Sequence, residues 1–256
     1  MVPAVKLDRI TKRYHTPEGE ISALEDITFS VQEGEFVGIV GPSGCGKTTL
    51  LSIISGLLEP SAGKVYIFGE ESHGVNPKIG YMLQRDSLFE WRTIYRNVML
   101  GLEIKNEVTP ENISAIDDLL MKYGLDAFRD NYPSQLSGGM RQRAALIRTL
   151  AVNPKILLLD EAFSALDYQT RLAVNDDIYN IIKKEGKTAI MVTHDIAEAI
   201  SMSERLYVLS KRPGTIKLTV DIKLSIENRT PLLSRKAPEF RQYFDMIWKE
   251  LDIHVL

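Results

Sequence analysis

The chain has 256 residues, 44% of them hydrophobic, and its 31 Lys and Arg against 34 Asp and Glu leave a net charge of -3. That length and apolar content suit one large α/β domain or a domain with an inserted subdomain, and the near-balanced charge offers no electrostatic handle for nucleic acid. One cysteine, Cys45, excludes an intramolecular disulfide framework and fits a reducing compartment. No apolar stretch approaches the roughly 18 residues that span a bilayer and no signal-peptide core opens the sequence, so any membrane role is expected to run through a partner.

Residues 5–14 and 21–31 alternate as strands of a mixed β-layer, joined by the turn-like His15-Thr-Pro-Glu-Gly-Glu20, and Gln32-Glu-Gly-Glu35 is a second turn. The apolar run 36–40 reads as a buried strand. It leads into Gly41, Pro42, Ser43, Gly44, Cys45, Gly46, Lys47, Thr48 and Thr49, which fit the phosphate-cradling pattern G-x-x-x-x-G-K-[ST] without a mismatch. A short helix that Gly56 can end, a turn at 60–63, a strand over 64–68 and residues 81–84, closing on Gln84, complete the first section.

From 85 to about 152 the pattern turns helical. Thr109-Pro110-Glu111 opens a helix with apolar Ile113, Ile116, Leu120 and Tyr123 on one face and Gly124 as its stop. Residues 156–159 restore a continuously apolar strand, with Asp160 and Glu161 at the C-terminal end where open α/β sheets bind ligands. Asp167 is the expected cap of a helix carrying Leu172, Ile178, Ile181 and Ile182 and ending at Gly186. A buried strand over 188–192 runs into Thr193-His194-Asp195, with Asp195 and Glu198 as a capping pair, and a strand over 206–209 precedes a Pro213-Gly214 turn. In the tail, Phe240, Tyr243, Phe244, Ile247, Trp248 and Leu251 share one helical face; packing onto the domain is the expectation and a partner site the alternative. There is no internal repeat.

The glycines at 41, 44 and 46 let backbone N–H groups turn inward, and with the positive end of the following helix they form an anion site for α- and β-phosphates. Lys47 should reach the β- and γ-phosphates and Thr48 a Mg²⁺ ion. Cys45 is expected to serve as a small residue within the loop, with a reactive thiol as the alternative. Asp160 should hold Mg²⁺ directly or through water, while Glu161 orients and deprotonates the attacking water; plain capping by both carboxylates is the alternative. Leu136-Ser-Gly-Gly-Met-Arg-Gln-Arg143 is a second helix start that can bind an anion or simply be N-capped by Ser137.

The phosphate loop, Gln84, residues 136–142, 156–161, Ser164-Ala-Leu-Asp167 and His194 stand in the order and spacing of the ATP-binding cassette (ABC) ATPases, which the chain resembles from about 5 to 210. The resemblance implies an α/β fold: a P-loop NTPase of the ABC ATPase type, with a RecA-like mixed-sheet core, an N-terminal antiparallel β-layer and an inserted helical subdomain. Residues 1–84 and 153–210 would form the core, 85–152 the insertion and 211–256 a tail. It also implies ATP and Mg²⁺ as ligands. Tyr14 matches the aromatic that stacks on adenine, with a strand-end core tyrosine as the alternative. Gln84 matches the glutamine that senses Mg²⁺ and the attacking water, His194 the switch histidine on the γ-phosphate, and Asp167 an aspartate that communicates across a dimer. In the family two copies pair head to tail, so the loop of one and Ser137, Gly138, Gly139 and Gln142 of the other enclose each ATP. Ala162 stands where many relatives carry proline. His15, His73 and His254 have no such setting.

Membrane spans fused to the ATPase, a second cassette and a long coiled coil between Lys47 and Asp160 are all absent from the sequence, which points to a separate permease. Residues 41–49, Leu88-Phe-Glu-Trp91 with Asn97-Val98, 137–143 and 208–216 resemble the nitrate, sulfonate and taurine importer subfamily. Related systems import pyrimidine precursors of vitamins. The resemblance implies a peripheral protein at the cytoplasmic face of the membrane, an indirect solute-binding partner, and a permease helix received by Phe89 and Trp91, unless Phe89 is core. A regulatory or scaffold ATPase is the rival reading. A GTPase lacks its Asn-Lys-x-Asp motif here.

Overall fold

The structure is a computed structural model, and it describes residues 2–17, 19–164 and 166–251. His254 and Ala165 of the Ser164–Asp167 motif therefore lie outside the described residues.

Two sheets share the core. The first is antiparallel in the order β2-β1-β4-β5, built from β1 Val5–Thr16, β2 Gly19–Val31, β4 Ala62–Ile67 and β5 Glu70–Glu71. The β1–β2 hairpin is longer than the sequence pattern suggests. Its ladder continues through His15↔Glu20 and Thr16↔Gly19, and an Arg13–Glu20 ion pair at 3.3 Å bridges the arms, so these four residues, expected to be turn, are strand.

The second sheet has the order β10-β9-β3-β8-β7-β6, from β3 Phe36–Val40, β6 Ile79–Met82, β7 Ile156–Asp160, β8 Thr188–Thr193, β9 Arg205–Leu209 and β10 Ile216–Asp221. Its five strands from β9 to β6 run parallel and β10 antiparallel. β3, β7 and β8 are buried at every position because both faces are covered. Leu157, Leu159, Ala189 and Met191 pack into one cluster with the helices, whereas Ile156, Leu158, Ile190 and Val192 face the antiparallel sheet and α1, Lys47–Ile54.

Three helices intervene between β6 and β7: α2 Ile94–Lys105, α3 Pro110–Lys122 and α4 Gly138–Leu150. Each starts as its sequence directs, with Thr93, Thr109 and Ser137 accepting a bond from a first-turn N–H, a cap worth about 1 kcal/mol. Residues 85–93, read as the start of the helical pattern, are loop instead. Buried Asn97 explains it: its amide accepts from Phe89 N–H at 2.7 Å and donates to the carbonyls of Phe89, Arg92 and Thr93, holding the chain out of the helix.

After β7, α5 Tyr168–Lys184 is capped by Asp167, which accepts from Thr170 N–H at 3.1 Å. Ile178, Ile181 and Ile182 of its expected face are buried, while Leu172 is only half-buried. The expected capping pair of α6 Ile196–Met202 is half right. Asp195 accepts from Glu198 N–H, but the Glu198 carboxyl turns inward to Asn175 of α5, at 3.0 Å, rather than back to the cap. The described residues close with the short α7 Pro231–Ser234 and with α8 Phe240–Glu250. α8 lays Ile247 against α6 and β9, with Leu251 buried and Phe240, Tyr243 and Phe244 partly so, as the packing reading of the tail expects.

Candidate nucleotide-binding and hydrolysis site

Register brings the site together. β3 pairs Val40 with Thr193 on one side and Val208 on the other, and β7 pairs Asp160 with Val192. Gly41, Glu161, His194 and Ser210 therefore leave the sheet at the same edge, beyond the carboxyl ends of parallel strands. In the loop, Gly44 and Gly46 have φ of 74° and 104°, and a Cβ on Gly46 would stand 2.7 Å from Leu24 Cδ2, so a side chain fails there on both counts. Lys47 is 6% exposed and donates to the carbonyls of Gly41 (2.8 Å) and Pro42 (3.1 Å). Cys45 is buried, its N–H donates to Pro42 O, and burial pushes its thiol up; it is the small residue the sequence suggests.

Asp160 faces the start of α1. Thr48 Oγ1 donates to Asp160 Oδ1 and the Tyr81 hydroxyl to Oδ2, both at 3.1 Å, yet burial outweighs these bonds and raises the carboxyl above its ordinary range. Tyr81 is raised in turn, by its own burial first and then by the charge of Asp160. Mg²⁺ fits the Thr48–Asp160 pair of hard oxygen donors, since that ion takes few protein ligands and the rest from phosphate and water. Among the described residues no cluster of three or more His, Cys, Asp or Glu is set to hold a metal by itself.

Glu161 has a left-handed backbone, φ 44°, a strained state for a residue with a Cβ, fixed by its N–H donating to Val192 O at 3.0 Å. The carboxylate thereby points back across the loop. Its Oε1 lies 4.0 Å from Lys47 Nζ and its Oε2 lies 3.1 Å from His194 Nδ1. These three groups, an ammonium, a carboxylate and an imidazole, are what a reaction at a terminal phosphate needs on one side.

A cavity of about 360 Å³ opens over this edge. The loop supplies Ser43, Gly44, Gly46, Lys47, Thr48 and Thr49; Tyr14, Gln84 and Glu161 stand beside them, with Arg212 on a further wall. Tyr14 is 38% exposed, with its hydroxyl 3.4 Å from Thr49 Oγ1 and Lys12 Nζ 5.3 Å from its ring centroid, so it lines the cavity and is not core. Gln84 donates to Ser164 Oγ at 3.4 Å. A slightly larger hollow, about 410 Å³ between α3, α4 and α5, takes only Arg143 from these motifs and none of the expected nucleotide or metal residues.

Ser137, Gly138, Gly139, Gln142 and Asp167 are not brought to this cavity within the chain. Ser137 caps α4, Gln142 is 3% exposed with Oε1 unpartnered, and Asp167 caps α5. Tyr81 and Arg212 are the site residues that sequence reasoning missed. For Tyr81 the signal was a hydroxyl inside a half-buried strand just before Gln84; Arg212 lies in the 208–216 stretch, but nothing tied it to the phosphate loop short of knowing that β9 neighbours β3.

The family model described as ABC transporter matches residues 24–164. The chain is 48% identical to the ABC transporter ATP-binding protein YtlC of Bacillus subtilis, over 96% of this chain and 95% of that one. It is 40% identical to the nitrate import ATP-binding protein NrtD of a Synechocystis species (90% and 88% covered) and 38% identical to the taurine import ATP-binding protein TauB of a Jannaschia species (93% and 92%). Among solved structures, the dimeric post-hydrolysis state of the ATP-binding cassette MJ0796 with ADP and Pi superposes with a TM-score of 0.72 at 34% identity, covering 86% of this chain and 99% of that one. The chain belongs to the ABC transporter family. Its fold is the P-loop cassette of that family, and its class is that of the ATPases coupled to transport.

Proposed function

We propose that the chain is the ATP-hydrolysing subunit of a membrane importer for a small solute, with nitrate, sulfonates and taurine as first candidates and pyrimidine vitamin precursors as related ones. The Lys47–Glu161–His194 cluster at the mouth of the phosphate loop is the observation that carries the catalytic part of this reading. The nitrate and taurine import relatives support the importer part. In this scheme loop N–H groups and Lys47 bind the phosphates, Tyr14 stacks on adenine, and Thr48, Asp160 and Gln84 hold Mg²⁺, which when bound neutralises charge on the β- and γ-phosphates. Glu161 orients the attacking water and takes its proton, and His194 contacts the γ-phosphate.

A second copy would complete the site with Ser137, Gly138, Gly139 and Gln142, and Asp167 would relay between copies. The separation of these residues from the cavity within one chain favours that arrangement. Residues 1–84 and 153–210 then act as the nucleotide core, 85–152 as the signature-bearing insertion and 211–256 as a tail packed on the core. The permease would meet the surface around Trp91, placing the protein at the cytoplasmic face of the membrane.

Glu161→Gln tests the chemistry. Phosphate release from Mg-ATP should fall at least about 100-fold, and light scattering should show an ATP-dependent doubling of mass. A variant that stays monomeric with ATP bound would contradict the closed dimer. Co-purification with a permease and ATP-driven solute uptake test the importer reading; a partner with no translocation path would favour a regulatory ATPase.

A further inference from the structure

The loop after β9 forms a wall of the nucleotide cavity that no motif residue supplies. β9 lies parallel beside β3, so the chain leaving Leu209 emerges next to Gly41. Ser210 closes the loop on itself: its N–H donates to Thr215 O at 2.9 Å and its Oγ accepts from Thr215 N–H at 2.8 Å. Gly214 then fastens it to two neighbours. Its N–H donates to Ala23 O at 2.9 Å, its carbonyl accepts from Glu25 N–H at 3.0 Å, and a Cβ there would stand 2.2 Å from the carbonyl oxygen of Cys45. Only glycine lets the loop lie this close to the phosphate loop.

Arg212 projects from this fixed support. Its Nε donates to Gly44 O at 3.3 Å, and the side chain lines the same cavity as Tyr14, Lys47 and Thr48. Among the described residues that carbonyl is its bonding partner and no carboxylate pairs with it, so the charge and the remaining N–H donors of the guanidinium are unspent. A planar, permanently charged fork held at the rim of a phosphate cradle suits the oxygens of a nucleoside di- or triphosphate.

We propose that Arg212 is a nucleotide-binding residue whose guanidinium donates to the phosphate chain of bound ATP or ADP while the Gly44 carbonyl holds it in place. The proposal rests on the ATPase reading of the loop. Titration of the intact chain with fluorescent ATP and ADP should show Arg212→Ala and Arg212→Gln each about tenfold weaker for both nucleotides, with Arg212→Lys retaining most of the affinity. The ligand-free melting midpoint should stay at the wild-type value in all three. Glutamine keeps a donor for Gly44 but not the charge, so wild-type affinity in Arg212→Gln would overturn the proposal. So would a loss in Arg212→Ala accompanied by a lower ligand-free melting midpoint, which would make the residue a brace. Lys47→Ala separates the two levels: if it binds as wild type, the reading of the loop itself fails, whatever Arg212 does.

Discussion

Lys47 is nearly buried, with its ammonium shared between two carbonyls of its own loop and 4.0 Å from the Glu161 carboxylate. A buried ammonium held only by carbonyls and a more distant carboxylate is an anion site in waiting, because phosphate oxygens offer it a stronger, charged partner. Lys47→Ala should therefore weaken ATP binding about 10- to 100-fold in a fluorescence titration, and unchanged affinity would refute the phosphate assignment. Residues such as Lys47, Thr48 and Asp160 were legible because a local pattern fixes both type and position. Glu161 was legible as a carboxylate after a buried strand, but its left-handed backbone was not, since that depends on a bond to Val192 in another strand. Tyr81 stands close before Gln84 in the chain, but its bond to Asp160 depends on the pairing of β6 with β7, and Arg212 reaches the site only because β9 lies beside β3.

The contact between α5 and α6 shows the same limit for whole elements. Both helices start where their caps predict, yet Glu198 was misread as part of a cap because its inward partner, Asn175, lies on another helix. Burial raises the Glu198 carboxyl above its ordinary 4.5, ahead of the opposing bonds from Thr193 and Asn175. Below pH 4.5 the group is protonated both folded and unfolded and costs nothing. As pH rises past 4.5 the unfolded chain ionises first, so stability falls until the folded-state value is passed and then levels. Glu198→Gln, which mimics the neutral acid, should thus melt higher than wild type at neutral pH, and the gap should close below pH 4.5. A gap that persists in acid would show that titration is not its source. The strands were read more securely than the segment 85–93 for a physical reason. Strands buried on both faces announce themselves as apolar runs, whereas that segment is shaped by one buried side chain, Asn97, acting on the backbone before it.

For the molecule as a whole, the surface that most resembles a docking point is built by that same segment. Asn97 pins the chain from Phe89 to Thr93, and Trp91 stands 74% exposed with its ring stacked on half-buried Phe89, centroids 4.8 Å apart. A rigid, exposed aromatic braced by a second ring loses little entropy on being covered, which is the character of an interface anchor. It also lies in the chain just after Gln84, which lines the nucleotide cavity, so a partner held at Trp91 would be mechanically close to the phosphates. Trp91→Ala should leave ATP hydrolysis by the isolated chain unchanged, because Trp91 is not among the residues that line the cavity. It should weaken association with the permease by roughly 2 kcal/mol, about 30-fold, and reduce ATP-driven uptake by the reconstituted complex accordingly. Permease affinity equal to wild type would remove Trp91 from the interface, and a fall in the isolated chain's ATPase rate would mean that the ring supports the nucleotide site instead.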